Sequence, residues 1–111
     1  RIGYNQSLSI EYSKKNTNYP GDVLKEELEC RKISQKKFSE VLGVSYTMLN
    51  EILNGKRPIT SDFALMVEAA LNINAELLAN MQTRYNMAVA RKESTLNNRL
   101  HEIRKMCASL L

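Results

Sequence analysis

The chain has 111 residues, the size of one domain with short extensions. Its composition, 43% hydrophobic and 25% charged, is typical of a globular protein. No apolar stretch approaches the roughly 20 residues that a membrane span requires, and no segment has the charged-then-apolar pattern of a signal peptide. We therefore expect a cytoplasmic protein without a membrane partner.

The cysteine and histidine content argues against a disulfide framework and against a metal site. The chain has two cysteines, Cys30 and Cys107, and one histidine, His101. A small disulfide-stabilised domain needs more cysteines, and a zinc site needs Cys or His pairs at close spacing. Because both cysteines lie in segments with helical periodicity, we expect buried thiols and no metal or other cofactor.

The charged residues are unevenly placed along the chain. Sixteen basic and twelve acidic residues give a net charge of +4, a mild bias that is consistent with an anionic partner. Basic residues bracket the centre of the chain, at Arg31, Lys32, Lys36, Lys37, Lys56 and Arg57. Acidic residues precede that centre, at Glu26, Glu27 and Glu29. This pattern suggests one anionic partner and a second partner that is cationic.

The first segment, residues 1–18, is polar and has no helical period. Within it Leu8, Ile10 and Tyr12 alternate with polar residues, which is a weak strand pattern. A lone strand needs a partner edge, so the segment is either a flexible arm or a short strand. As a strand it could add to the sheet edge of a partner protein.

Start and stop signals then predict three helices. The first covers about residues 20–32, because Pro is favoured at the first helical position, and Val23, Leu24, Leu28 and Cys30 form its apolar face. The second runs from Gln35 to Leu42, after Ser34 as cap, and stops at Gly43. The third follows the cap Ser45 and ends at Asn54–Gly55.

Three more helices are predicted in the second half of the chain. Thr60 or Ser61 caps the fourth, whose apolar stripe is Phe63, Val67, Ala70 and Leu71. Asn74 caps the fifth, with Leu77, Leu78, Met81, Tyr85 and Val89 on one side. No sheet is required, so the fold class is all-α. We expect residues 19–91 to form the main domain and residues 92–111 to form an additional C-terminal helix.

This last helix has an apolar seam in which residues recur at spacings of 4, 3, 4 and 3. The seam residues are Leu96, Leu100, Ile103, Cys107 and Leu110. Two heptads are too short to persist alone in water. The helix must pack on its own domain or on a second copy, and we favour a homodimer.

The segment from Gln35 to Asn54 has the pattern of a helix-turn-helix. Two helices that cross through a tight turn must bury their inner faces, which requires apolar residues at fixed positions. These are Phe38, Leu42, Val44, Leu49 and Ile52. A small residue is wanted where the helices approach, and glycine where the turn has positive φ; Ser39 and Gly43 occupy those positions. A generic helical hairpin without a DNA role is the alternative.

In a DNA-binding helix-turn-helix the second helix of the motif enters the major groove. Its predicted outward residues are Ser45, Tyr46, Thr47, Asn50, Glu51 and Asn54. Predicted phosphate contacts are Gln35, Lys36, Lys56 and Arg57. Glu51 could accept from a cytosine amino group, but it would also repel phosphates. Because that helix itself has no Arg or Lys, the surrounding cations must supply the attraction, and binding should weaken steeply with salt.

Four blocks of sequence resemble the HigA antitoxin family of the Cro/repressor-like helix-turn-helix superfamily. They are Tyr19–Leu28 (YPGDVLKEEL), Ile33–Phe38 (ISQKKF), Ile52–Thr60 (ILNGKRPIT) and Asn80–Met87 (NMQTRYNM), in the family's order. The resemblance covers about residues 19–90. It implies a five-helix lambda-repressor-like domain, to which residues 92–111 add a further helix.

The resemblance also implies a function. Proteins of this family dimerise, repress their own operon at a palindromic DNA operator, and neutralise a RelE-like, messenger-RNA-cleaving toxin, HigB. The nuclease chemistry would belong to that partner. The chain departs from the family at Tyr46 and Glu51, where members often carry Arg, which leaves the operator sequence open.

Two further readings stay open, and a third is disfavoured. The chain could be a toxin-binding interaction module that scarcely touches DNA, or an orphan regulator without a toxin. An enzyme would need catalytic side chains placed within reach of one another, and the sequence gives no such arrangement of Cys30, Cys107 and His101. We therefore expect no catalytic residues and no small-molecule substrate.

Overall fold

The computed structural model describes residues 19–110, which form six helices and no strand. These are α1 Pro20–Cys30, α2 Gln35–Leu42, α3 Tyr46–Leu53, α4 Ser61–Leu71, α5 Ala75–Arg91 and α6 Ser94–Leu110. The predicted all-α class, five helices followed by a C-terminal helix, is confirmed. The predicted N-terminal arm, residues 1–18, lies outside the described residues.

Four helices begin at side-chain caps, which satisfy backbone N–H groups that the first turn leaves without a partner. Ser34, Ser45 and Asn74 each accept from a backbone N–H three residues on, at 3.0 Å. Thr60, and not Ser61, caps α4 and accepts from Phe63 N at 3.2 Å. The starts of α2 to α5 therefore follow from local sequence signals.

α1 ends two residues before the predicted boundary. Pro20 opens it as expected, but Lys32 has a φ of 59°, in the left-handed region. The N–H of Ile33 then donates back to the carbonyl of Leu28 at 2.9 Å. This closing turn directs the chain into α2.

The core lies between α1, α2, α3, α4 and α5. Its large, fully buried members are Leu24, Phe38, Leu49, Ile52, Leu53, Phe63, Val67, Ile73 and Leu78. Burying one such side chain contributes about 1.5–3 kcal/mol, so this set is the main source of stability. In α4 the buried alanine is Ala64, and the predicted Ala70 is exposed.

α1 crosses α3 at very close range. A Cβ at Gly21 would lie 1.8 Å from the backbone carbonyl oxygen of Ile52. Only glycine allows two backbones to approach in this way. The contact fixes where the end of α3 lies against the start of α1.

α6 differs from the other helices because it has no buried residue. It contacts α5, and Leu96 and Leu100 are half-buried. From Ile103 onward every described residue is exposed. Val89, predicted on the packed side of α5, is also 52% exposed.

Candidate nucleic-acid interface

α2 and α3 meet at a glycine corner. Gly43 has a φ of 73°, which lets the chain turn sharply after α2. The N–H groups of Gly43 and Val44 both donate to the carbonyl of Ser39, at 2.9 and 3.1 Å. Ser39 itself is buried where the two helices approach. Of the predicted apolar positions, Phe38, Leu49 and Ile52 are buried, and Leu42 and Val44 are partly buried against the same core.

The outer face of α3 is open at its N-terminal end. Ser45, Tyr46 and Thr47 are exposed, whereas Leu49, Ile52 and Leu53 on the inner face are at most 1% exposed. No described residue covers the outer side of the first turn. The helix can therefore present this end to a groove.

Asn50 and Asn54 belong to a polar row that links three helices. Asn50 Nδ2 donates to Gln35 Oε1 at 3.0 Å, and Asn54 Nδ2 donates to the carbonyl of Asn50 at 2.8 Å. Lys25 Nζ in α1 donates to Asn54 Oδ1 at 3.3 Å. Both asparagines are half-buried, so they hold α1, α2 and α3 together. Their predicted contact with DNA stays a prediction.

The same row orients Gln35. Because its Oε1 accepts from Asn50, the side-chain amide is fixed and its Nε2 group remains a donor. Gln35 also lies at the start of α2, where backbone N–H groups favour an anion. The predicted phosphate-binding role fits this geometry.

The four charged residues predicted to contact DNA fall into two groups. Lys36 and Lys56 are exposed and have no ion-pair partner among the described residues. Glu51 and Arg57 pair with each other: Glu51 Oε1 accepts from Arg57 Nε at 3.0 Å and from Nη2 at 2.8 Å. The pair neutralises the carboxylate that sequence reasoning expected to repel phosphates.

The basic loop after α3 is held at both ends. The N–H of Lys56 donates to the carbonyl of Glu51 at 2.8 Å. The N–H of Ile59 donates to Oε1 of the buried Gln82 in α5, also at 2.8 Å. Sequence reasoning missed Gln82, although a glutamine at a core-facing position of α5 was a signal for it.

Tyr19 adds a third contact to this loop. Its ring lies against Gly55, where a Cβ would be 3.0 Å away, and packs edge-to-face on Tyr85 at 6.3 Å. Gly55 has a φ of 78°, so the turn that starts the loop needs glycine for its backbone as well. The loop is thus built into the domain between α1 and α5.

The C-terminal seam is divided. Leu96 and Leu100 are half-buried, whereas Ile103, Cys107 and Leu110 are exposed, Leu110 at 82%. The structure therefore leaves the second half of the seam available to a partner. Its use for dimerisation stays a prediction.

The prediction of buried thiols is wrong. Cys30 and Cys107 are both free and exposed. Cys30 follows Leu28 by two residues, which places it roughly 200° round the helix from the buried face. Arg31, one turn after Leu28, lies on the buried side instead, and it pairs with the buried Glu27 at 2.6 Å.

The described residues show no constellation for metal chemistry. Between residues 19 and 110 no group of three or more His, Cys, Asp or Glu side chains could hold a metal ion. Over the same residues no helix is long and apolar enough to cross a membrane. The site offers an open helix end, amide donors held by hydrogen bonds, and the exposed cations Lys36 and Lys56.

Two helices joined at a left-handed glycine, with the second one open on its outer side, define a helix-turn-helix protein. The helix-turn-helix family model matches residues 24–78. Virulence-associated protein I of Dichelobacter nodosus is 34% identical over 76 residues, which cover 68% of this chain and 70% of that protein.

Comparison with solved structures places the chain more closely within the helix-turn-helix proteins. An addiction module antidote protein of the HigA family from Coxiella burnetii is 32% identical, with a TM-score of 0.67, and the match covers 73% of this chain and 89% of that one. The Pseudomonas aeruginosa antitoxin HigA, solved with the higBA promoter, is 28% identical, with a TM-score of 0.67 and coverage of 78% and 91%. The chain therefore belongs to the HigA-type antitoxin family of helix-turn-helix proteins.

Proposed function

We propose that the chain is a DNA-binding antitoxin and transcriptional autorepressor. As a dimer it binds a palindromic operator upstream of its own gene, and it neutralises a RelE-like HigB toxin that cleaves messenger RNA. The chain itself is not an enzyme. Residues 19–91 are the DNA-binding domain, and residues 92–111 carry the dimer contact.

The observation that carries the DNA-binding proposal is the open first turn of α3. Ser45, Tyr46 and Thr47 are exposed there, and the N-terminal residues of a recognition helix are those that read base edges. Gln35, Lys36 and Lys56 lie on the flanking segments. A HigA neighbour solved with its promoter supports the same use of this fold.

An electrophoretic shift tests the reading face. The probe is a duplex from the region upstream of the chain's own gene, with excess shuffled duplex as competitor. Replacing Tyr46 and Thr47 together by Ala should weaken the specific complex about 10- to 100-fold, since one good base contact is worth about 1–3 kcal/mol. Thr83→Ala, an exposed threonine on α5, is the matched control.

Two outcomes would count against this face. Equal binding by the double variant and the control would remove α3 as the reader. Absence of any shift by the unmodified chain would favour the second candidate, a toxin-binding module. That candidate draws its support from α3, which has no Arg or Lys.

The dimer proposal rests on the exposed half of the C-terminal seam. An operator with two-fold symmetry requires two recognition helices about 34 Å apart, and an exposed apolar stripe is a natural contact between copies. Ile103→Glu in the full chain should give monomers in light scattering. Ser109→Glu, which adds the same charge about 120° round α6 from Ile103 and off the seam, should leave dimers.

Cys107 provides an independent readout of the same contact. It is exposed and lies between Ile103 and Leu110 on the seam. If two seams meet, mild oxidation should crosslink the chain through Cys107, and Cys107→Ser should abolish the crosslink. Crosslinking through Cys30 instead would place the dimer contact elsewhere.

The toxin proposal is tested with the neighbouring gene. Its product should arrest growth when expressed alone, and co-expression of this chain should restore growth. The Tyr46 and Thr47 variant should still rescue, because neutralisation needs protein contact and not DNA. Without a growth-arresting neighbour, the chain is an orphan regulator.

A further inference from the structure

The pairing of Glu51 with Arg57 joins two residues that are both proposed to contact DNA. Glu51 is the only acidic residue of α3, and both of its hydrogen bonds to Arg57 end on the same oxygen, Oε1. The side chains are 36% and 49% exposed. In the free protein the Glu51 carboxylate and the Arg57 guanidinium are therefore bonded to each other, and these are the groups that would contact DNA.

The pair can open without moving the backbone. The loop is fixed by Lys56 N to the Glu51 carbonyl and by Ile59 N to Gln82 Oε1. Only the long Arg57 side chain has to swing. Exposed ion pairs are weak, because water screens them and two flexible side chains must be held. A phosphate on one side and a base on the other could therefore replace the contact.

We propose that the Glu51–Arg57 ion pair determines specificity by making the phosphate contact of Arg57 conditional on the base that Glu51 meets. Where a cytosine amino group faces Glu51, the carboxylate accepts from it and Arg57 is released to bind a phosphate. Where the facing base edge offers no amino group, opening the pair would leave an unpaired carboxylate beside phosphates. The pair then stays closed, and Arg57 contributes nothing to binding.

This inference rests on the proposed DNA-binding function, and salt titration separates the two. Each phosphate contact steepens the salt dependence of log K by about 0.9. Arg57→Ala should reduce the slope by about 0.9 per protomer on the upstream duplex and leave it unchanged on a shuffled duplex. An equal reduction of the slope on both duplexes would show that Arg57 always binds phosphate. No reduction of the slope on either duplex would show that Arg57 never leaves Glu51. Each result overturns the inference.

Glu51→Gln tests the closed state on the shuffled duplex. Releasing Arg57 should raise affinity about two- to fivefold, the range expected for an exposed ion pair, and steepen the slope by about 0.9 per protomer. Glu76→Gln, at an exposed position in the first turn of α5, makes the same change in net charge and is the control.

The double variant isolates the pair. In an Arg57→Ala background, Glu51→Gln should raise affinity only by removing the unpaired carboxylate, and the additional slope of about 0.9 should be absent because the released group is missing. If Glu51→Gln and Glu76→Gln act alike in the unmodified background, Glu51 does not restrain Arg57 and the inference fails. If the chain shifts neither duplex at any salt concentration, the DNA-binding proposal itself fails.

Discussion

α3 and α6 are both amphipathic helices with leucine and isoleucine at helical spacing, and they lie in very different surroundings. In α3 the inner residues Leu49, Ile52 and Leu53 are at most 1% exposed. In α6 Ile103 is 53% and Leu110 is 82% exposed. The apolar pattern of a helix thus shows which face needs cover, but not which molecule provides it.

The difference has an energetic meaning. Residues 19–91 bury their apolar faces against one another, so each helix stabilises the next. The second half of α6 obtains no such stabilisation from its own chain, and an isolated helix of this length is marginal in water. α6 should therefore open before the rest of the chain does.

The largest expected effect compares an isoleucine in each region. Ile52→Ala should lower the free energy of unfolding by about 2–5 kcal/mol, the range for a large-to-small change in a core. Ile103→Ala should change it by less than about 0.5 kcal/mol in dilute protein, as for other surface positions. Urea denaturation followed by circular dichroism measures both.

The protein concentration decides how the Ile103 result is read. If Ile103→Ala lowers the free energy of unfolding only at high protein concentration, a second copy covers the seam. A loss as large as that of Ile52→Ala at every concentration would place Ile103 in the core, and the contrast between the two regions would disappear.

The next effect concerns how closely the main domain packs. Gly21→Ala should lower the free energy of unfolding by about 3 kcal/mol, the upper part of the range for overpacking, because its Cβ would meet the Ile52 carbonyl at 1.8 Å. Gly43→Ala meets nothing within 4 Å and should cost about 1–2 kcal/mol from its positive φ alone. If thermal unfolding shows that the two variants lose the same free energy of unfolding, α1 and α3 can move apart.

The parts of this structure that the sequence predicted are those set by neighbours in the chain. Ser34 and Ser45 cap helices because their hydroxyls reach an N–H three residues on, and Gly43 ends α2 through its own φ. The apolar positions of the helix-turn-helix were predictable because one turn joins the two helices. Such features need no knowledge of the remaining fold.

The parts that the sequence left unpredicted depend on distant or side-chain contacts. Gln82 meets the N–H of Ile59 across 23 residues; its core-facing position marks it as a residue that needs a partner, but the sequence does not indicate which partner. Glu51 and Arg57 were each assigned to DNA separately, since their ion pair forms only when the loop folds back toward α3. Ala70 looked as suitable for the core as Ala64, because alanine gives little sign of which face is buried.

Gln82 offers a test of how firmly α5 belongs to the main domain. Gln82→Leu removes the acceptor of a buried N–H, which should lower the free energy of unfolding by about 1–3 kcal/mol. Asn86→Ala, at the exposed residue that accepts from Gln82 Nε2, removes the neighbouring bond and should cost less than about 0.5 kcal/mol, because water reaches this exposed position and can replace the acceptor. A neutral Gln82→Leu would mean that the loop is held by Tyr19 and Lys56 without α5.

The smallest effect compares the caps of two helices. Thr60→Ala should lower the free energy of global unfolding by about 1 kcal/mol, because it removes the N-cap of α4, a helix of the core. Glu93 Oε1 accepts from Thr95 N at 3.3 Å at the start of α6, yet Glu93→Ala should leave the global free energy unchanged. Its effect should be confined to faster amide hydrogen exchange within α6 in dilute protein, since that helix opens separately. A global loss equal to that of Thr60→Ala would show instead that α6 unfolds together with the domain.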